Sequence, residues 1–273
     1  MMKILRIAVS VLFVLTFAVF SYFYINVKIH TDNTIPVISV DGEMLEVGFK
    51  VTDEELLAGV SAFDEKDKDI TDKVIVESIS KFTEKGVSKV TYAVCDSDNH
   101  VAKATRKIRY KDYTSPKFYM DDDICYSLYE SIDISNAIGA RDCIDGNISR
   151  NMIITSDDYV PSAAGVFSIN ATVTNSKGDT STITLPLIVE DRSISAPRIV
   201  LTDYLVYIEK GQAIDPQKYI EQVVDAEENV LNLEVRAESA VDVNKEGVYM
   251  VHYFATDAEG SRGHSVLIVA VGK

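Results

Sequence analysis

Tryptophan is absent from this 273-residue chain, cysteine occurs 3 times, histidine 4 times and proline 6 times. Three cysteines are too few, and of odd number, for the disulfide framework that small secreted domains rely on. The 13 glycines follow no period of three, which excludes a collagen-like rod, and none sits in a phosphate-cradling loop. Neither Gly-x-Ser-x-Gly nor His-Glu-x-x-His occurs, so the usual marks of a hydrolase are missing and the chain reads as a non-enzyme. Positive charge is scarce too. With 27 bases against 42 acids the net charge is −15, which argues against a nucleic-acid partner, because Lys and Arg must replace the counterions of a phosphate backbone.

What is present begins with a long apolar run. From Ile7 to Val27 there are 21 consecutive residues without a charge. As an α-helix such a run covers about 30 Å, the thickness of a bilayer's hydrocarbon core. Lys3 and Arg6 precede it, and Phe20, Tyr22, Phe23 and Tyr24 fall at its exit, where amphipathic rings favour the headgroup layer. The positive-inside bias then makes residues 1–6 cytoplasmic, 7–27 a transmembrane signal anchor and 28–33 a linker, with residues 31–273 extracellular. The rival is a cleaved signal peptide, but the bulky Phe20-Ser21-Tyr22-Phe23 exit offers no small-x-small cleavage site. Residues 1–30 hold three bases and no acid, so the other 243 residues carry −18.

That acidic body repeats itself. Gly86-Val87-Ser88-Lys89-Val90-Thr91-Tyr92-Ala93-Val94-Cys95-Asp96-Ser97 recurs from Gly165 to Ser176 and again from Gly247 to Ala258, at spacings of 79 and 82 residues. Within it apolar residues alternate, as on a half-buried strand: Val90, Tyr92 and Val94, then Ile169, Ala171 and Val173, then Val251, Tyr253 and Ala255. The opposite face is mixed and reads as outward, and it carries His252. The alternation likewise places His264 on an outward face. A turn follows at Asp98-Asn99, Lys177-Gly178-Asp179 and Glu259-Gly260, then a second strand at Ala104 to Tyr110, Ile183 to Val189 and Leu267 to Val271. Pro186 cannot donate a ladder hydrogen bond and suggests an edge strand. Asp32-Asn33-Thr34-Ile35-Pro36 and Asp112-Tyr113-Thr114-Ser115-Pro116 share an Asp-x-Thr-x-Pro joint, loosened at Asp191 to Pro197, and proline stiffens each. The one helix-like stretch is Asp53-Glu54-Glu55-Leu56-Leu57, with Thr52 as its N-cap. Short strands in units of about 80 residues read as β-sandwiches.

These motifs, with Asp64-Glu65-Lys66-Asp67-Lys68-Asp69-Ile70-Thr71 in the first repeat and Asp142-Cys143-Ile144-Asp145-Gly146-Asn147-Ile148-Ser149 in the second, resemble bacterial immunoglobulin-like repeats. The module is the kind also found in pesticidal crystal proteins and bacterial surface proteins, and it is similar to the hyalin-repeat type. Lys68 stands where that pattern has Gly, and the third repeat departs further, at Asp225-Ala226-Glu227-Glu228-Asn229. The resemblance implies an all-β chain: three tandem Ig-like β-sandwiches after one N-terminal transmembrane helix, spanning 34–112, 113–191 and 192–273. Strung in series, three such sandwiches would reach on the order of 100 Å from the membrane.

The role that the resemblance implies is adhesion, scaffolding or spacing at a bacterial surface. The chain would hold the cell membrane through its helix and an extracellular protein or glycan at its far side. The alternative is a carbohydrate- or wall-glycan-binding module, in which Tyr110, Tyr113, Tyr119, Tyr126 and Tyr129 would offer stacking faces. Cys125 and Cys143 fall in one repeat and could form an optional staple. No cofactor is expected, with one open candidate. Asp64, Asp67 and Asp69, and Asp142, Asp145 and Asn147, present oxygens at short spacing, and calcium takes 6–8 of these, extracellular modules holding it at about 10⁻⁴–10⁻³ M. The same residue types also build turns through hydrogen bonds to the backbone, and Lys66 and Lys68 would compete with a cation.

Overall fold

Twenty-nine residues almost free of helix-breaking types form α1 (Met2–His30), which contains a stretch, Leu5–Lys28, long and apolar enough to cross a membrane. The computed structural model describes residues 2–30, 33–160 and 163–272. Asp32, the first residue of the opening joint, lies outside them. The described side chains of α1 are nearly all exposed, and Thr16 satisfies its hydroxyl inside the helix, donating to the Leu12 carbonyl at 3.0 Å.

Three sandwiches follow. The first has β1 (Val37–Val40), β2 (Met44–Val47), β3 (Val60–Asp64), β4 (Lys68–Asp69), β5 (Ile75–Ile79), β6 (Val87–Cys95) and β7 (Val101–Tyr110). The second has β8 (Lys117–Met120), β9 (Cys125–Ser127), β10 (Ile138–Asp142), β11 (Gly146–Asn147), β12 (Ile153–Thr155), β13 (Gly165–Thr174) and β14 (Thr180–Glu190). The third has β15 (Arg198–Leu201), β16 (Leu205–Glu209), β17 (Ile220–Val224), β18 (Val230–Leu231), β19 (Arg236–Ser239), β20 (Gly247–Thr256) and β21 (Arg262–Gly272). The sheets are β1-β3-β4 with β2-β7-β6-β5, then β8-β10-β11 with β9-β14-β13-β12, then β15-β17-β18 with β16-β21-β20-β19. Each topology is the last one advanced by seven strands. In each the second strand runs parallel to the seventh and every other pairing is antiparallel.

The alternation builds the cores as expected, with Val90, Tyr92, Val94, Ile169, Ala171, Val173, Val251, Tyr253 and Ala255 all buried. The hairpin turns adopt the left-handed backbone that Asn and Gly accept, with φ of 70° at Asn99, 87° at Gly178 and 85° at Gly260. Thr52 caps α2 (Asp53–Leu57) in a reciprocal box with Glu55. The β3–β4 turn needs φ of 66° at Lys68, where the second sandwich has Gly146 at 72°. A left-handed non-glycine residue costs about 1–2 kcal/mol, partly offset by glycine's greater freedom when unfolded. Lys68→Gly is therefore expected to stabilise the first sandwich by about 0.5–1 kcal/mol, read as a higher urea midpoint at unchanged slope.

Two expectations need correction. Pro186 lies on β14, an interior strand between β13 and β9. The Ile188 N–H donates to the Ile124 carbonyl on the β9 side, so the missing Pro186 N–H would point to that side too. It does so before β9 pairs with β14, which begins only at Ile188. The Cys125–Cys143 staple is not formed, and both thiols are free. Cys125 is buried on β9, whereas Cys143 is exposed and its Sγ lies 3.2 Å from the Thr114 carbonyl.

The chain divides into two compact units, residues 1–112 and 113–273. In the second unit the cores of the two sandwiches merge into one cluster, from Phe118 to Val271. Strand β21 shows the reason. A strand packed on one face alternates, as β7 does, but from Gly263 to Val269 β21 is buried at every position. The second sandwich covers its outer face, with β8 close to β16 and β9 close to β21. These two sandwiches are not separate beads in series.

Candidate functional site at the junction of the second and third sandwiches

The residues at this seam are placed by two short registers. Strand β9 pairs with the end of β14, Cys125 opposite Ile188 and Ser127 opposite Glu190, which sets the thiol beside the Glu190 carboxylate. On β21, His264, Val266 and Ile268 share the outer face with Phe254, His252 and Met250, their partners on β20. His264 was expected to be outward and exposed, yet it is only 7% exposed, because that outward face is the one the second sandwich covers. Its counterparts Lys103 and Thr182 remain in solvent.

Three groups from two sandwiches converge here. Cys125 Sγ lies 3.3 Å from His264 Nδ1 and 4.0 Å from Glu190 Oε2. His264 Nδ1 is 2.8 Å from Glu190 Oε1, and His264 Nε2 is 2.9 Å from His252 Nδ1. Phe254 stacks on His264 with ring centres 4.5 Å apart, and the Arg262 guanidinium covers Phe254 at 3.8 Å. Burial lowers the pKa of both histidines, so both are neutral at pH 7, and burial pushes the Cys125 thiol well above its ordinary range. Beside them, burial pushes the Asp123 carboxyl up to about 7. Asp123 Oδ1 accepts from the Ile124 N–H at 2.8 Å and the Val266 N–H at 3.4 Å, linking the two sandwiches. Arg192 donates to the Cys125 carbonyl at 2.8 Å, and its own carbonyl accepts from Ser127 Oγ at 2.6 Å. A cavity of about 140 Å³ opens beside the cluster, lined by Asp123, Cys125, Tyr126, Arg192, Tyr204 and His264 among others.

The acidic loops lie elsewhere and work differently. Asp64 Oδ1 accepts from the N–H groups of Lys66 and Asp67, both at 2.9 Å. Asp67 reaches across to the hairpin turn, accepting from Ser97 N–H at 2.6 Å and Ser97 Oγ at 2.8 Å. The second sandwich repeats both contacts. Asp142 Oδ1 accepts from Ile144 and Asp145 N–H at 2.9 and 3.0 Å, and Asp145 accepts from Ser176 N–H at 2.6 Å and its hydroxyl at 2.7 Å. Asp69 and Asn147 accept from the N–H groups of Thr71 and Ser149, each at 3.0 Å. Hydrogen bonds from Ser97 and Thr71 hold Asp67 and Asp69 below the usual carboxylate range. In the third sandwich Asp225 still accepts from its own turn, at Glu227 and Asn229. Among the described residues the cross-clamp has no counterpart there: three residues after Asp225 stands Glu228, which accepts from Arg198 at 2.9 Å, and Ala258 offers no hydroxyl where Ser97 and Ser176 stand. In the Asp-x-x-Asp pattern the first residue thus closes its turn and the second ties that turn to a neighbouring hairpin. A calcium ion would have to take oxygens already engaged by these donors.

The five tyrosines occupy five different settings. Tyr110 is buried in the first sandwich, stacked on Phe49 at 5.3 Å. In the second unit Tyr113 donates to Asp179, Tyr119 lies under the Arg141 guanidinium at 4.7 Å, Tyr126 lines the junction cavity and Tyr129 donates to Asp191 at 2.8 Å.

No family model matches the chain. Over 128 residues it is 31% identical to an uncharacterized 81.3 kDa protein of Acholeplasma phage L2, a match covering 45% of this chain and 17% of that protein. Over 137 residues it is 29% identical to the pesticidal crystal protein Cry22Aa of Bacillus thuringiensis, covering 48% and 18%. The match spans less than a fifth of each relative, and the second gives the crystal-protein resemblance a counterpart in sequence. Among solved structures, the CBM51-2 and INT domains of Clostridium perfringens ZmpB, in complex with GlcNAc, align at 21% identity and a TM-score of 0.23, covering 54% of this chain and 26% of that one. Drosophila N-cadherin EC1-4 aligns at 14% and 0.23, covering 89% and 67%. The lipoprotein BT2262 of Bacteroides thetaiotaomicron aligns at 11% and 0.22, covering 86% and 99%. At such scores the fold rests on the sheets themselves: an Ig-like β-sandwich, three times over, behind one N-terminal apolar helix.

Proposed function

We propose that this chain is a membrane-tethered surface module of a bacterium, whose sandwiches serve adhesion, scaffolding or spacing outside the membrane. One observation carries the reading. A helix of membrane-crossing length, Leu5–Lys28, stands exposed ahead of three β-sandwiches. So large an apolar surface costs about 25 cal/mol for each Å² left in water, and a bilayer would bury it. Lys3 and Arg6, just before the helix, favour insertion with the N-terminus inside and the sandwiches outside. The sandwiches supply stiff, repeated units with their tyrosines tied into each domain, which suits a spacer or scaffold more than a stacking platform for sugars.

The test uses the chain's own thiols, since Cys95 and Cys143 are exposed and Cys125 is buried. In intact cells expressing the full chain, a membrane-impermeant maleimide is expected to label Cys95 and Cys143. The labelled species should run at full length in the membrane fraction. Labelling only after permeabilisation would refute the outward orientation, and a soluble species starting beyond residue 28 would refute the tether.

A further inference from the structure

We propose that Cys125, Glu190 and His264 form a three-ligand site for a zinc-class divalent ion at the seam between the second and third sandwiches. Thiolate, imidazole and carboxylate are the donor set that a borderline-soft ion such as zinc accepts, and three protein ligands leave a fourth position open. With bonds of about 2.0 Å to nitrogen and oxygen and 2.3 Å to sulfur, tetrahedral ligand atoms stand roughly 3.3–3.5 Å apart. The separations here are 3.3 Å from sulfur to nitrogen, 2.8 Å from nitrogen to Glu190 Oε1 and 4.0 Å from sulfur to Glu190 Oε2, and with one ligand atom from each residue all three lie within 4.8 Å of one another. A small rotation of the Glu190 carboxylate, with side-chain shifts of about 1 Å, would bring one oxygen, the sulfur and the nitrogen to bonding distance.

The surroundings favour a ligand role for these groups. A metal-bound imidazole usually gives its other N–H to a partner that fixes the ring, and His252 Nδ1 stands 2.9 Å from His264 Nε2 to accept it. The cavity beside the cluster, about 140 Å³, has room for a water in the fourth position. On binding, the thiol proton leaves to solvent, and the thiolate and the Glu190 carboxylate together balance the two positive charges. Because β9 and β14 belong to one sandwich and β21 to the other, the ion would bolt the two together.

Cobalt(II) is the probe, added to the full chain in detergent micelles. One equivalent is expected to give a thiolate-to-cobalt charge-transfer band and the intense visible bands of tetrahedral coordination, and zinc should bleach both. Cys125→Ser should abolish the charge-transfer band. Glu190→Gln, at a half-buried position, should weaken cobalt binding at least tenfold. The double variant Cys95→Ser, Cys143→Ser should keep the full spectrum. Absence of the band from the unmodified chain at saturating cobalt would overturn the proposal, as would its survival in Cys125→Ser. If Cys125→Ser does not fold, the other two variants decide. Unchanged affinity in Glu190→Gln, or loss of the band in the double variant, overturns the site.

Discussion

Replacing Ile268 with aspartate is expected to dismantle the unit of residues 113–273 while leaving residues 34–112 folded. Ile268 lies on the face of β21 that the repeat pattern assigns to solvent, yet it is 0% exposed. A carboxylate there would be buried inside an apolar cluster, a fault that costs on the order of 3–5 kcal/mol. That is a large part of the 5–15 kcal/mol that stabilises a typical domain. Hydrogen exchange on the full chain reads the outcome. Peptides covering β8, β9, β16 and β21 should lose protection together, and those covering β6 and β7 should keep theirs. Unchanged protection in β8 and β9 would mean that the second sandwich does not depend on this face. Ile268→Val, which keeps the apolar contact, should cost only about 0.5–1.5 kcal/mol.

The second large effect is expected in the first sandwich. Arg106 is buried on the inward face of β7, where its counterparts Leu185 and Leu267 are ordinary core residues. Its Nη1 donates to the Asp41 carbonyl at 3.1 Å, and Nη2 donates to the carbonyls of Leu56 and Ala58 at 2.8 and 2.9 Å. The Leu56 carbonyl also accepts from Tyr92 OH at 2.8 Å, and the guanidinium lies 5.8 Å from the Tyr92 ring. One side chain therefore satisfies the loop after β1 and the end of α2. Arg106→Ala strips three carbonyls of this donor, of which that of Leu56 keeps Tyr92 OH, and opens a cavity. At about 1–3 kcal/mol for each unsatisfied group, the loss should be about 3 kcal/mol or more. Urea unfolding followed by exchange in β1, α2 and β7 measures it. Arg106→Lys should recover only part, because one ammonium cannot reproduce a planar fork. A loss below about 1 kcal/mol would show that these carbonyls find other donors.

Arg106 was not singled out from the sequence, although its signal was there. Laying the repeats over one another places a base where the other two have leucine, and a base on an inward strand face calls for buried acceptors. The sandwiches were legible for the same reason, since strict alternation around Tyr92, Ile169 and Tyr253 defines one buried face, and Asn99, Gly178 and Gly260 supply the turns. The seam was hidden by the rule that revealed the cores. Alternation tells inside from outside within one domain and says nothing of a second domain laid on the outside. A signal existed all the same: Val266-Leu267-Ile268-Val269-Ala270-Val271 has no polar residue at alternate positions, the pattern of a strand covered on both faces. Cys125 and Glu190 had no such mark, because 65 residues separate them and only the parallel register of β9 on β14 brings them together.

That parallel register bears on load. In each sandwich the second strand and the last lie side by side and point the same way, and the chain enters near the first and leaves from the second of that pair. Tension between the two ends draws the strands past each other along their length. The hydrogen bonds between them are then sheared together, whereas a hairpin pulled from its open end is unzipped one bond at a time. Forced unfolding is governed by the rate of crossing that barrier and not by equilibrium stability. Each unit is thus braced against pulling in the direction in which a tethered chain would be stretched.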